Sequence, residues 1–442
     1  MTIGVDVGGT FTDLVRWDGD HLTTAKLPST PNQSEAVAAG TRLVTGSEPD
    51  GVLLHGTTVA TNALLERRGA RTILITNSGF EDLIEIGRQD RPSLYDPFAD
   101  RPPPLVDRDR RFGWEPDVDL GNLLVGSEPE SIAIALLQSY RDGALEAALA
   151  REVGRLFSSV PITVSHRVSG EFREYERIST AVLNAYLRPP VSAYLNALQG
   201  GLAGLVERVL VMRSSGGLTS IPAAAELAAS IVVSGPAAGV VAAAACGSAH
   251  GWRRVISLDM GGTSTDVCRI EDGRPEVGAE RSIAGIVCRL PSVAVHTIGA
   301  GGGSLGWADP GLALRVGPQS AGARPGPASY GQGGRAPTVT DANLAAGRLG
   351  SEAEIAGGIV LRAQAALDAL ARVGATLGLG IDQVAAGIIE VVDALMERAI
   401  RNVSVEQGAD PRQAPLLAFG GAGGLHASAL ARRLDMPAVL IP

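Results

Sequence analysis

Short runs of β-branched and aliphatic residues alternate along this chain with stretches whose apolar positions recur at helical spacing, the order expected of an α/β fold. The pattern predicts strands over 2–5, 14–17, 52–55, 72–76, 131–140, 161–165, 209–212, 255–258, 267–270, 416–419 and 438–441. Helices are predicted over 59–68, 143–157, 178–187, 191–198, 239–249 and 425–434. A longer one carries Ile388, Val392, Leu395, Met396, Ala399 and Val403 on one face. Pro189-Pro190 is expected to break or bend the chain between 187 and 191, because proline lacks the N–H and crowds the preceding turn. Residues 88–119 turn to Arg, Asp and Pro, including Pro102-Pro103-Pro104, and read as one long charged loop. Residues 299–303 and 322–334 read as glycine-rich loops. The longest uncharged run, 228–249, is interrupted by Ser234-Gly235-Pro236, which favours a buried loop and helix over a membrane span.

One polar pattern breaks into this alternation twice. Asp6-Val7-Gly8-Gly9-Thr10-Phe11-Thr12-Asp13 returns as Asp259-Met260-Gly261-Gly262-Thr263-Ser264-Thr265-Asp266. Each copy lies between two strand-like runs and so predicts a hairpin turn. The glycine pair lets backbone N–H groups approach an anion closely, the threonine hydroxyls add donors, and aspartate suits the water shell of magnesium. Two such hairpins, facing one another, would grip a polyphosphate from both sides.

Composition narrows the setting. A chain of 442 residues is long for one core, so two or more domains are expected, divided at 1–180 and 181–442 with a crossover near the 178–198 segment. Hydrophobic content of 45% with 19% charged residues describes a packed globular protein. The net charge of −9 disfavours nucleic acid and anionic membrane surfaces as partners. Cys246, Cys268 and Cys288 have no CxxC spacing and read as small buried hydrophobes rather than a disulfide framework or zinc site. The N-terminus runs from Met1 straight into a strand without a signal-like region, and a cytoplasmic protein is expected.

Other segments offer candidate chemistry. The run Gly420-Gly421-Ala422-Gly423-Gly424 between a strand and a helix suits an adenosine platform or a phosphate-binding helix start, though glycine also permits close packing of helix on strand. His55-Gly56-Thr57-Thr58-Val59-Ala60-Thr61-Asn62 gathers polar groups at a strand-to-helix junction. It reads equally as a substrate-binding helix start or as ordinary capping beside a partly buried histidine. Glu171-Phe172-Arg173-Glu174-Tyr175-Glu176-Arg177 reads first as a solvated, salt-bridged helix start, with Glu174 or Arg177 as the members placed to face a cleft. His55, His296 and His426 have no ligand spacing, and a structural role is the default for each.

Two Asp-x-Gly-Gly-Thr hairpins, a crossover helix and a downstream Gly-Gly platform resemble the actin-like ATPase fold, an α/β fold with duplicated ribonuclease H-like domains around a nucleotide cleft. The longer strings resemble the hydantoinase A/oxoprolinase family. They comprise both octets, 55–63, 171–177, Ser234-Gly235-Pro236-Ala237, His296-Thr297-Ile298-Gly299-Ala300-Gly301-Gly302-Gly303-Ser304, Pro337-Thr338-Val339-Thr340-Asp341-Ala342-Asn343 and Phe419-Gly420-Gly421-Ala422-Gly423. The resemblance implies ATP-dependent opening of a cyclic amide such as a hydantoin or 5-oxoproline, or service in a ketone carboxylase. The third alternative is a truncated, non-catalytic remnant, since members of the family continue beyond the position of Pro442. It implies ATP and Mg2+, with Asp6 and Asp259 holding the metal's waters. Gly8, Gly9, Thr10, Thr12, Gly261, Gly262, Thr263 and Thr265 would hold phosphates, and Gly420, Gly421 and Gly423 the adenosine. Asp13, Asp266 and Glu174 join Asp6 and Asp259 as catalytic candidates, while His55, Thr57, Thr58, Asn62, Arg173 and Arg177 are the substrate candidates. A hydantoinase B-type subunit is the implied partner, and a homo-oligomer is compatible with the pattern. The chain departs from the family pattern at Arg213, Ser215 and Ser329, where Gln, Asn and Cys are usual.

Overall fold

The computed structural model describes residues 1–7, 11–28, 30, 32–45, 51–96, 98–350, 354–355 and 358–442. Ten strands lie in the first half: β1 (Thr2–Val7), β2 (Phe11–Trp17), β3 (Leu22–Pro28), β4 (Val52–Gly56), β5 (Thr72–Asn77), β6 (Arg111–Trp114), β7 (Ser131–Ile134), β8 (Ile162–Val164), β9 (Arg208–Met212) and β10 (Leu218–Ser220). One six-stranded sheet has the order β10-β9-β4-β1-β2-β3, so it draws on residues to both sides of position 180. A four-stranded sheet, β6-β5-β7-β8, is parallel throughout. Its central strands β5 and β7 are buried almost residue for residue, as expected of parallel strands covered on both faces.

The second half repeats the first arrangement. β11 (Val255–Met260) and β12 (Thr265–Glu271) form a hairpin, with β13 (Arg274–Pro275) beyond them. On the other side β11 pairs in parallel with the strand Leu416–Phe419, and that strand with Val439–Leu440. The registers match. Asp6 stands opposite Asp13 and Val7 opposite Thr12, while Asp259 stands opposite Asp266 and Met260 opposite Thr265. In the parallel neighbours Asp6 faces Gly56 and Asp259 faces Phe419. Each octet therefore begins beside the last residue of a parallel strand: β4 ends at Gly56, shortly before the helix Val59–Leu65, and Leu416–Phe419 runs directly into the helix that starts at Gly420.

The helix Glu174–Leu202 is continuous, with Pro189 and Pro190 inside it, which corrects the expected break. Its faces explain why. Ile178 to Leu187 are buried without interruption, and Val191, Leu195, Leu198 and Leu202 continue the same core, so tertiary burial outweighs the local proline penalty of about 3 kcal/mol. The expected loop 88–119 also contains a strand. β6 is short, yet it docks in parallel on β5 with Trp114 buried and Phe112 packed against the same core, and the buried Arg111 guanidinium bonds Asp82 (3.0 Å) and Glu85 (2.7 Å). The expected strand 131–140 ends at Ile134. The uncharged run becomes a short turn, Ala228–Ile231, and a helix, Ser234–Ala249. Among the described residues no single helix is long and apolar enough to cross a membrane.

Candidate functional site

The two hairpins converge on a small set of carboxylates. Asp259 is pushed up to about 6, first by burial and then by the charges of Asp266 and Asp6, so the two hairpins share one electrostatic site. Asp6 is also raised, by loss of solvent around it and then by Asp13. Around them the backbone is stripped of side chains. A Cβ on Gly420 would lie 2.3 Å from Asp259 Oδ1 and 2.6 Å from the Met260 carbonyl oxygen. Gly420 also has φ +81°, a conformation glycine tolerates best. The helix Ser234–Ala249 enters between the hairpins. Gly239 approaches Asp259, and Gly235 lies against Gly56, which itself neighbours Asp6.

The second Asp of each octet is held by a third strand. Asp13 faces Lys26 across the β2–β3 ladder, and Lys26 Nζ bonds both carboxylate oxygens, at 2.6 and 2.8 Å. Asp266 occupies the equivalent place opposite Thr297 in the strand His296–Ile298, and the Thr297 hydroxyl donates to it at 2.6 Å. Burial nevertheless raises Asp266. Lys26 and Thr297 were not among the sequence candidates. Their signal lay in strand register, which the octet alone does not reveal.

Gly8, Gly9 and Thr10 lie outside the described residues. In the second hairpin Gly262 and Thr263 are exposed at the tip, while Gly261 N–H donates to the Ser264 carbonyl (3.1 Å). The loop 299–304 clasps this turn from behind. Gly302 N–H donates to Gly261 O (2.9 Å) and Gly303 N–H to Gly262 O (2.6 Å). A Cβ at Gly301 would come within 2.7 Å of the hairpin backbone. Thr12 and Thr265 are fully buried, and the Thr265 hydroxyl donates to Ala300 O, so Thr265 holds the clasp rather than facing the cleft. The glycine run is the first turn of the helix Gly420–Arg433. Gly421 is exposed with open space around it, whereas Gly423 packs against Leu258 and Met260.

The substrate candidates divide. His55 is fully buried, with Nε2 hydrogen-bonded to the Tyr194 hydroxyl at 2.8 Å, and burial depresses its pKa to about 4. It is a neutral core histidine. Thr57 is buried beside it and exchanges hydrogen bonds with Ser234. Thr58 and Asn62 remain partly exposed on the first turns of the helix Val59–Leu65. Arg177 is fully buried under the four-stranded sheet, where its guanidinium bonds Ser139, Ser165, Glu174 and the Leu136 carbonyl. Glu146, also fully buried, lies 3.5 Å away, accepts from the main-chain N–H groups of Leu136 and His166, and is hydrogen-bonded to His166 Nδ1 at 2.6 Å. Glu174 accepts from Gln138 N–H (3.0 Å) as well as from Arg177. These bonds commit Glu174 and Arg177 to the small sheet rather than to Asp6 and Asp259. Arg173 is exposed at φ +91°, with its guanidinium over the Phe172 ring. His426 is buried between Asp393 (2.6 Å) and Asn343 (3.1 Å) and shares no hydrogen-bond partner with His55.

The comparisons with known proteins place this geometry. The hydantoinase/oxoprolinase family model matches residues 177–442, and the model of that family's N-terminal region matches 2–126. The chain belongs to the hydantoinase/oxoprolinase family. Over its whole length it is 35% identical to the caprolactamase subunit alpha of Pseudomonas jessenii, of which it spans 68%. It is likewise 35% identical to the 5-oxoprolinase of Saccharomyces cerevisiae, of which it spans only 40%. The crystal structure of the ATP-dependent caprolactamase from Pseudomonas jessenii superposes with a TM-score of 0.87 at 33% identity, covering 100% of this chain and 69% of that one. A nucleotide-free acetone carboxylase structure gives 0.81 at 28% identity, covering 99% and 68%. The duplicated sheets and paired hairpins are thus the actin-like ATPase fold as this hydantoinase/oxoprolinase family builds it.

Proposed function

We propose that the chain binds ATP between its two hairpins and uses it to open a cyclic amide, a hydantoin or 5-oxoproline type of ring, by moving the terminal phosphoryl group to the substrate's carbonyl oxygen. The observation that carries this reading is the matched placement of Asp6 and Asp259, each on the first strand of a hairpin, each opposite the last residue of a parallel strand that leads to a helix, and close enough for one charge to act on the other. Among the described residues no three His, Cys, Asp or Glu side chains converge into a direct metal cage. Two carboxylates suit magnesium, which keeps most of its water shell. When bound, that ion would offset the mutual repulsion of the carboxylates and the charge of the polyphosphate.

Phosphoryl transfer asks the protein mainly for positioning and charge stabilisation. Gly262 and Thr263 present an exposed turn for this, held rigid by the 299–304 clasp, and the octet repeat assigns the same duty to Gly8, Gly9 and Thr10. Gly420 and Gly421 leave room for the adenosine, and the start of the Gly420–Arg433 helix adds a favourable dipole. Thr58, Asn62 and Arg173 are the substrate candidates that keep an accessible face. The likeness to named subunits supports work beside a B-type partner.

A second reading, the ATP-using subunit of a ketone carboxylase, is favoured by the superposition on acetone carboxylase. Phosphate release from magnesium-ATP by the chain with its B-type partner separates the two. Stimulation by hydantoin, 5-oxoproline or caprolactam supports ring opening. Stimulation only by acetone or acetophenone with bicarbonate replaces it with carboxylation.

A further inference from the structure

A cleft of about 500 Å³ opens where the four-stranded sheet, the long helix and the β9–β10 hairpin meet, and none of its lining residues belongs to the Asp6 or Asp259 hairpins. Three arginines line it: Arg167 from the short helix Ser165–Val168, Arg188 from Glu174–Leu202, and Arg213 just after β9. Glu226 is the single carboxylate in the lining. Arg188 gives one N–H to the Ile162 carbonyl oxygen at 2.8 Å. Among the described residues, the Arg167 and Arg213 guanidiniums have no ion-paired or hydrogen-bonded partner. In a chain of net charge −9, a cleft with three guanidiniums against one carboxylate runs against the overall balance.

The cleft is also structurally prepared. It runs along β8, the edge strand of the four-stranded sheet, and past the carboxyl end of β9 in the six-stranded sheet, so it lies between the two sheets. A parallel strand's carboxyl end is where α/β sheets present ligands. Its floor is fixed by Asn184, which is 1% exposed. The Asn184 amide donates to the Glu226 carbonyl (3.0 Å) and accepts from Ala229 N–H (3.1 Å), tying the long helix to the segment after β10. The volume falls in the range of small-molecule sites. Guanidinium forks match the paired oxygens of carboxylate and phosphate groups.

We propose that this cleft binds a small dianion, a dicarboxylate or a phosphate ester, through the forks of Arg167, Arg188 and Arg213. The site is separate from the hairpins, and the proposal does not rest on phosphoryl transfer.

Thermal unfolding and titration calorimetry of the full chain, without nucleotide, test it with succinate and inorganic phosphate as probes and sodium chloride at matched ionic strength as control. A saturable rise in Tm of about 2 °C or more with at least one dianion is expected. Arg167→Ser and Arg213→Gln alter side chains that are exposed and half-buried, so both should fold, and each should weaken binding about tenfold or more. A response to succinate alone assigns a dicarboxylate, to phosphate alone a phosphate ester, and to both a general dianion site. A shift no larger than that with chloride overturns the proposal. So does an affinity unchanged in both variants, which would place the bound ion elsewhere, such as at the hairpins.

Discussion

Thr57 and Ser234 hold each other by two hydrogen bonds: Thr57 N–H donates to Ser234 Oγ at 3.1 Å, and the Ser234 hydroxyl donates to the Thr57 carbonyl at 2.8 Å. Both residues are buried, and they lie at the junction where β4 ends and the helix Ser234–Ala249 begins. The pair fixes that helix start beside Gly56 and hence beside Asp6. It lets one hydroxyl satisfy two main-chain groups that water does not reach. Ser234→Ala leaves both without a partner and is expected to destabilise the fold by about 1–3 kcal/mol. Urea denaturation measures this, and a midpoint equal to wild type would remove the pair from the account of the site.

Gly420 is where backbone, carboxylate and helix start compete for the same space. Ala at this position brings a methyl group onto Asp259 Oδ1 and the Met260 carbonyl, at a positive φ. Gly420→Ala should lose about 1–3 kcal/mol of stability and displace the Asp259 carboxylate. Nucleotide-stimulated phosphate release should fall at least tenfold. Gly421→Ala, with open space around its Cβ, is the control and should retain stability. Equal stability losses in the two variants would contradict the proposed crowding.

Asp259 and His55 tilt the pH dependence of stability in opposite directions. Asp259 is raised from 3.8 to about 6, so the folded state binds the extra proton and stability falls as pH rises from about 4 through 6. His55 is depressed from 6.5 to about 4, so the unfolded state binds the extra proton. Its contribution is fully present above about 6.5 and is lost as pH falls toward 4. In the absence of divalent cations the two offset one another. Asp259→Asn should therefore steepen the loss of stability on acidification, and His55→Phe should flatten or reverse it. Denaturation midpoints collected from pH 4 to 7 decide this; an Asp259→Asn profile parallel to wild type would refute it.

Asp259→Ala addresses the cleft directly. Removing this carboxylate takes away one of the two groups assigned to the magnesium waters and relieves its repulsion with Asp266 and Asp6. The variant should stay folded, with circular dichroism like wild type, while ATP-dependent turnover drops by a factor of about a hundred or more. Wild-type turnover in this variant would sink the two-hairpin reading.

Arg177 belongs to the interior of the four-stranded sheet. Its guanidinium lies among Glu174, Ser139 and Ser165 and 3.5 Å from the buried Glu146. Arg177→Met strips Glu146 of its nearest buried cation and should destabilise the protein by about 3–5 kcal/mol. Glu146→Gln, which keeps hydrogen-bonding capacity without the charge, should lose less. A folded Arg177→Met protein of wild-type stability and raised KM for substrate would instead return Arg177 to the substrate site.

The sequence by itself determined the local elements and the duplication. Alternating apolar runs set eleven of the 24 strands among the described residues, including every inner strand of the three larger sheets, and the repeated octet, read with its flanking strands, announced two equivalent hairpins. Glycine-rich strings likewise marked close approaches, because only a residue without Cβ fits at Gly301 or Gly420. Tertiary structure decided what local signals leave open. Pro189-Pro190 stayed helical because the buried face on either side is continuous. β6 formed because β5 offered a free parallel edge and the core of the small sheet took up Trp114 and Phe112. His55 and Arg177, polar and equally suited to a cleft by composition, turned inward toward Tyr194 and Glu146. Lys26 and Thr297 came to the octets through register, a relation between residues distant in sequence. A side chain's chemistry is written in one residue, but its solvent exposure and its partners are properties of the packed chain. That is why the hairpins could be read from the sequence, while the division between those who face the cleft and those who support it could not.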